Sequence, residues 1–140
     1  MAETLESLEA KREALYRTLA ALGDFRRGAI SVNYRRCGKG NCACARAGHP
    51  GHGPQYLWSA TIGGKSRARN LRLGPELEKV GQEVETYRAF GRLCAELVAV
   101  NEQLCARRPV QAVAPGAALA ALKKKLRRRF ARKSRTNSTA

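Results

Sequence analysis

The chain has 140 residues, with 27 Lys or Arg against 11 Asp or Glu and a formal net charge of +16. That length suits one domain with a tail, and the charge asks for a polyanion, because basic patches release condensed counterions when they meet phosphates. No apolar run approaches the roughly 18–20 residues of a membrane span, and the acidic start (Glu3, Glu6, Glu9) is unlike a signal peptide, so the expectation is a cytoplasmic protein with no membrane partner.

Residues 3–22 read as a first helix. Leu5, Leu8, Leu15, Leu19 and Leu22 fall on alternating three- and four-residue steps, with Arg12 at the one missing position. So narrow a stripe packs on another helix, and Gly23-Asp24 reads as its stop. From Gly28 the period becomes two: Ile30, Val32 and Tyr34 alternate with Ser31, Asn33 and Arg35, a strand pattern. A Cys- and Gly-rich stretch from Cys37 to Pro54 separates this strand from a second β-prone run, Tyr56 to Ile62. Gly63-Gly64 then reads as a hairpin turn, with Lys65 to Leu73 returning.

A second helix opens at Pro75, with Glu76 and Glu78 beside it, and runs to Cys105. One stripe passes through Leu77, Val80, Val84, Tyr87, Gly91, Cys94, Val98, Asn101 and Cys105, and a neighbouring one through Phe90, Leu93, Leu97, Val100 and Leu104. Together they make a face wide enough to cover both the first helix and the sheet, or a second subunit. Asn101 then either sets the register of a homodimer or lies on the helix surface. Pro109 and Pro115-Gly116 punctuate a linker, residues 117–132 read as a short basic helix, and Ser134–Ala140 as disordered.

The expected fold is α+β: an N-terminal helix, a three-stranded antiparallel sheet with an inserted Cys-rich metal knot, and a long helix packing as a helical hairpin or coiled coil. Residues 1–106 make this domain, and residues 107–140 a disordered, flexible basic tail.

Three thiols fall within eight residues, Cys37, Cys42 and Cys44, and two imidazoles follow, His49 and His52. Reduced cytoplasmic thiols in such a set read as metal ligands or core residues, and zinc takes four soft ligands in a tetrahedron. The preferred set is Cys37, Cys42, Cys44 and His52, with His49 as the alternative fourth ligand and one structural Zn2+ per chain. Gly38 and Gly40 let the backbone curl round the ion, and Lys39 and Arg46 offset thiolate charge. Cys94 and Cys105, eleven residues apart on one helix face, read as core. Catalysis is disfavoured, since a zinc hydrolase or deaminase needs a carboxylate proton shuttle and no Asp or Glu stands between Phe25 and Pro75. Four protein ligands also leave no open coordination position. Gly64-Lys65-Ser66 matches only the end of a P-loop, Ser59 standing where its first glycine belongs.

The run Arg36-Cys-Gly-Lys-Gly-Asn-Cys-Ala-Cys44, then His52-Gly-Pro54 and Tyr56, resembles the core of a family of short prokaryotic proteins of unknown function. Gly64-Lys65 and Val84-x-x-Tyr-Arg-x-Phe90 are similar to it too. The likeness spans roughly residues 28–105. It implies His52 rather than His49 as a site residue, no established activity, and an association with mobile elements.

Positive charge is concentrated. From Arg107 onward there are eleven Lys or Arg and no acid; from Gly23 to Arg72 there are ten, against Asp24 alone. Arg35, Arg36, Lys39, Lys65, Arg67, Arg69 and Arg72 near the sheet, and Lys123, Lys124, Lys125, Arg127, Arg128 and Arg129 in the tail, are the candidate nucleic-acid contacts. Tyr34, Tyr56 and Trp58 on adjoining strands would add base stacking; the alternative places the aromatics in the core. The functional expectation is a non-enzymatic, salt-sensitive nucleic-acid-binding protein, DNA slightly preferred over RNA, with no small-molecule substrate. The other reading is a coiled-coil adaptor with an incidental basic tail.

Overall fold

The computed structural model describes residues 3–137, with side chains as far as Ala131. The chain divides into two units, Met1–Cys105 and Ala106–Ala140. The first unit has the expected α+β order. Helix α1 (Leu5–Ala20) comes first, then strands β1 (Ala29–Arg35), β2 (His52–Ile62) and β3 (Lys65–Leu71), then helix α2 (Pro75–Arg107).

Thr4 caps α1: its hydroxyl accepts from the Ser7 amide at 3.1 Å, while the Thr4 amide donates to Ser7 Oγ at 3.0 Å. This is a capping box with serine in place of the usual acid or amide. The strands form one antiparallel sheet in the order β1-β2-β3, the last two joined at Gly63-Gly64 as the turn chemistry predicts. β2 begins at His52, earlier than the β-prone run suggested, because the chain leaving the cysteine loop pairs at once with the end of β1, Arg35 opposite His52.

Helix α2, 33 residues and about 50 Å long, is the spine of the unit. Near its start Val80 and Val84 close on Leu71, with Ile30, Tyr56, Trp58 and Leu77 packed round them. Near its end Val100 and Leu104 close on Leu8 and Leu15, with Leu5, Leu93 and Leu97 alongside. Val100 and Leu104 lie about 20 residues beyond Val80 and Val84, roughly 200° further round a helix of 3.6 residues per turn. The sheet and α1 therefore sit on opposite sides of α2. The single wide face expected from the sequence is two faces, one per half of the helix, and Val98 and Cys105 on the first stripe are exposed.

Arg12 and Asn101, both isolated polar positions in apolar stripes, meet each other: Arg12 Nη1 donates to Asn101 Oδ1 at 3.2 Å. Phe25, beyond α1, stacks on Phe90 with ring centroids 4.9 Å apart. As the N-terminal segment advances, its partners on α2 fall in number, so the two helices run antiparallel.

Between the two cores the α1–β1 linker is fastened by charge. Arg26 Nη2 lies 3.1 Å from Glu83 Oε1, and Lys79 Nζ lies 3.0 Å from Glu83 Oε2. Oε1 has no hydrogen bond of good geometry and is held by the guanidinium charge. The Lys79 hydrogen bond, then Arg26, hold the Glu83 carboxyl below its ordinary value of 4.5 despite burial. A carboxyl lowered in this way stabilises the fold above the unfolded value and loses that contribution as pH falls through the folded one. Glu83→Gln is therefore expected to be less stable than wild type at neutral pH, and equally stable once pH has dropped well below 4.5; urea unfolding across that range measures it.

Among the described residues the buried apolar side chains are Leu8, Leu15, Cys44, Leu71, Val80, Val84, Val100 and Leu104. That is a thin core for a domain this size, of the kind that a metal or disulfide commonly supplements. Leu8, fully buried, has no surplus packing around it to absorb its loss. Leu8→Ala is expected to cost about 3 kcal/mol, read as a fall in the urea midpoint at unchanged slope.

In the second unit, helix α3 covers Ala117–Asn137. It starts where expected and runs past Arg132, so residues 134–137 are helical where the sequence suggested disorder. Ala, Leu, Lys and Arg are strong helix formers, and no Gly or Pro interrupts them. Residues 138–140 of that expected disordered end lie outside the described residues. No helix among the described residues is long and apolar enough to cross a membrane.

Candidate metal centre

The β1–β2 loop carries the cysteines and the strand ends aim them. Cys37 comes two residues after the end of β1, Cys42 precedes a single 3₁₀ turn (Ala43–Ala45) with Cys44 at its centre, and His52 opens β2. Because Arg35 pairs with His52 across the ladder, the first and last ligands leave adjacent strands at the same level. Cys37 Sγ lies 3.4 Å from Cys44 Sγ, Cys42 Sγ lies 3.3 Å from His52 Nε2, and all four donor atoms fall within 4.8 Å of one another. An ion with sulfur at about 2.3 Å in a tetrahedron sets its donors about 3.8 Å apart. Cys37, Cys42, Cys44 and His52 thus lie close enough to bind one metal ion.

His49, the alternative fourth ligand, is engaged elsewhere: its Nδ1 accepts from the Gly51 amide at 2.9 Å. It shapes the return of the loop into β2. Gly51 and Gly53, either side of His52, both have positive φ, 103° and 144°. A Cβ on Gly51 would meet the Arg35 backbone at 3.0 Å, and one on Gly53 would meet Asn33 O at 2.8 Å. Glycine here lets β2 approach β1 closely enough to bring His52 to the thiols. Of the two glycines read as letting the loop curl, Gly38 has positive φ and Gly40 does not.

One residue with a role at this centre was read differently from sequence. Arg36 donates through Nη1 to Cys44 O at 2.7 Å and to Arg46 O at 3.5 Å, and through Nη2 to His49 O at 2.8 Å. It ties the cysteine turn to the histidine arm from behind. Its position immediately before Cys37 was the available signal, since a fork of donors beside a loop without carboxylates bonds carbonyls. Partners that orient metal ligands commonly set affinity by about 10–100-fold. Arg36→Ala is expected to weaken metal binding by that factor, measured by competition with a chromophoric chelator.

The thiols are electrostatically unequal. The Lys39 amide, then His52 and Cys44, bring Cys37 from 9.0 down to about 6 against the effect of burial. At Cys44 the Cys37 amide favours the thiolate, but burial and the Cys37 and Cys42 thiols outweigh it and raise the value. Crowded thiols resist a second negative charge among themselves, and a divalent cation removes that conflict.

A family model described as a domain of unknown function (DUF6788) matches residues 5–82. The chain belongs to that family. The DUF6788 match starts with α1, includes the whole metal centre, and stops inside α2, so it begins earlier and ends earlier than the sequence motifs indicated. No curated protein and no solved structure matches the chain.

The basic residues occupy distinct places round this DUF6788 core. Lys39 and Arg46 are exposed on the knot loop, and Arg35 lines a shallow hollow with Cys37, His52 and Gln55. Lys65, Arg67 and Arg69 are exposed along β3, and Arg69 Nη2 lies 3.5 Å from Glu76 Oε1 on α2. Arg72 is exposed just after β3, its amide donating to Glu76 Oε2 at 3.1 Å.

Of the three rings in the expected platform, Tyr34 is exposed and the other two are not free to stack. Tyr56 and Trp58 pack against the Val80–Val84 core; the Trp58 indole donates to Arg27 O at 3.0 Å and carries the Arg26 guanidinium 5.4 Å from its ring. Lys123, Lys124, Lys125, Arg127, Arg128 and Arg129 are exposed on α3 and surround a short stripe of Leu122, Leu126 and Phe130, the Arg129 guanidinium lying 5.5 Å from the Phe130 ring.

Proposed function

We propose that this protein is a non-enzymatic nucleic-acid-binding accessory protein whose small fold is closed by one structural zinc ion. The observation that carries the binding half is α3. Six cations in seven residues, all exposed, stand in a segment without a single carboxylate from Arg107 onward. A helix so charged repels its own copy, and its natural complement is a phosphate backbone.

The donor set carries the zinc half. Three thiolates and an imidazole suit tetrahedral zinc, and four protein ligands fill the coordination sphere. The ion then has a holding role: it fixes the β1–β2 loop and so sets Lys39 and Arg46 beside Arg35 at the end of β1.

Fluorescence anisotropy with a labelled duplex at about 0.05 and 0.2 M salt tests the reading. Binding that weakens by orders of magnitude over that interval agrees with it. No binding at the lower salt sinks it, and a protein partner retained after the α3 cations are neutralised replaces it with the adaptor reading.

A further inference from the structure

The two faces of the sheet carry different charge: the register sets Arg69 opposite Trp58 and Arg67 opposite Ala60, on the face toward α2, and leaves Arg35 as the strand cation of the other face. On the α2 side Glu76 lies 3.5 Å from Arg69, and Glu83 lies 3.1 Å from Arg26 in the α1–β1 linker. On the other side there is no acid to supply, since none occurs between Phe25 and Pro75. Side chains alternate between the two faces of a strand. Ile30, Tyr56, Trp58 and Leu71 point toward α2, so the register places Asn33, Gln55, Asn70, Ser31, Leu57 and Ser59 on the face turned away from it. The three amides are exposed there, and Asn33 Nδ2 donates to Ser31 Oγ at 3.2 Å along its own strand. Asn33 stands directly opposite Gln55, and Asn70 faces Leu57 two residues along β2. Arg35 shares a hollow with Gln55 at the knot end.

We infer that this outward face of the sheet enters the major groove of duplex DNA, with Asn33, Gln55 and Asn70 meeting base edges. The inference rests on the nucleic-acid reading above and specifies its surface and its ligand. Sheets that bind single strands stack bases on aromatic rings, and this face has no ring, because Tyr56 and Trp58 are committed to α2 and the exposed Tyr34 alternates onto the same side as Ile30. It offers instead amide groups, which pair with adenine in the major groove, and Leu57 for apolar contact with thymine methyls. The major groove of B-form DNA, about 12 Å wide, admits a two-stranded β-ribbon, and the β1–β2 pair, about 5 Å apart between axes, carries Asn33, Gln55 and Leu57; the deep, narrow major groove of A-form RNA excludes it. Arg35, Lys39 and Arg46 lie at the knot end, where the phosphate wall would run, and the α3 cations add sequence-independent attraction.

The experiment uses the full-length metal-loaded protein. A duplex is selected from a randomised DNA pool, and affinity for it is compared with that for a scrambled duplex, for wild type and for Asn33→Ala/Gln55→Ala/Asn70→Ala. The expected result is discrimination of about ten-fold or more by wild type that collapses in the variant. Metal content, circular dichroism, affinity for the scrambled duplex and salt slope are all expected to stay unchanged, because amides neutralise no phosphate. Equal discrimination by the variant, none by wild type, or tighter binding of single strands or RNA duplex overturns the inference while leaving the broader reading intact. No binding of any nucleic acid overturns both.

Discussion

Cys44→Ser is expected to leave the protein with little or no bound metal and a midpoint of thermal unfolding lower on the order of 10 °C or more. Cys44 is the deepest of the four ligands, 1% exposed, so its replacement removes a donor and places an alcohol where the loop has packed a thiol. The loop has little else to hold it. Its 3₁₀ turn is three residues long, and the clustered cores of the fold lie under α2, away from it. Chelation of the wild-type protein should reproduce the same loss. His49→Ala is the contrasting case: it forfeits one bond to the Gly51 amide and keeps one metal per chain. Elemental mass spectrometry with calorimetry on the same samples reads both. A Cys44→Ser protein with full metal, or an unchanged midpoint in its absence, would show that the cluster does not hold the fold.

The second large effect concerns α3. Replacing Lys123, Lys124, Lys125, Arg127, Arg128 and Arg129 together by Gln keeps good helix formers in place and removes six of the eleven tail cations. If each neutralises one phosphate, the slope of log K against log salt becomes shallower by about five, and affinity at about 0.2 M salt falls roughly a thousand-fold. Anisotropy titrations at four salt concentrations give the slope directly. A variant that binds DNA as wild type does would move the contact away from the tail altogether.

Much of this fold was legible in the sequence because its signals are local. The period-two run Ile30–Arg35, the Gly63-Gly64 turn and the Pro75 start each act within a few residues, and each element stands where they place it. The candidate ligand set was legible because soft donors so dense in a short loop have few other uses, and because the family resemblance favoured His52 over His49; that His52 begins a strand paired with Arg35 was not.

What the sequence concealed is three-dimensional. Two adjacent stripes on α2 look like one broad face on a helical wheel, yet their buried members occupy different halves of the helix and point to opposite sides. Trp58 and Tyr56 read equally well as stacking rings or as core until the register shows them beside Ile30 under α2. Arg36 looked like any surface arginine, and only the closure of the loop brings the carbonyls of Cys44 and His49 to its guanidinium.

The account depends most on four atoms: Sγ of Cys37, Cys42 and Cys44, and Nε2 of His52. Zinc-edge X-ray absorption on protein purified without chelator tests them most directly. The predicted spectrum shows one zinc per chain with three sulfur neighbours at about 2.3 Å and one nitrogen at about 2.0 Å. A folded protein without metal, or a metal surrounded mainly by oxygen, would contradict it, and the cysteine loop would then need a different reason to close.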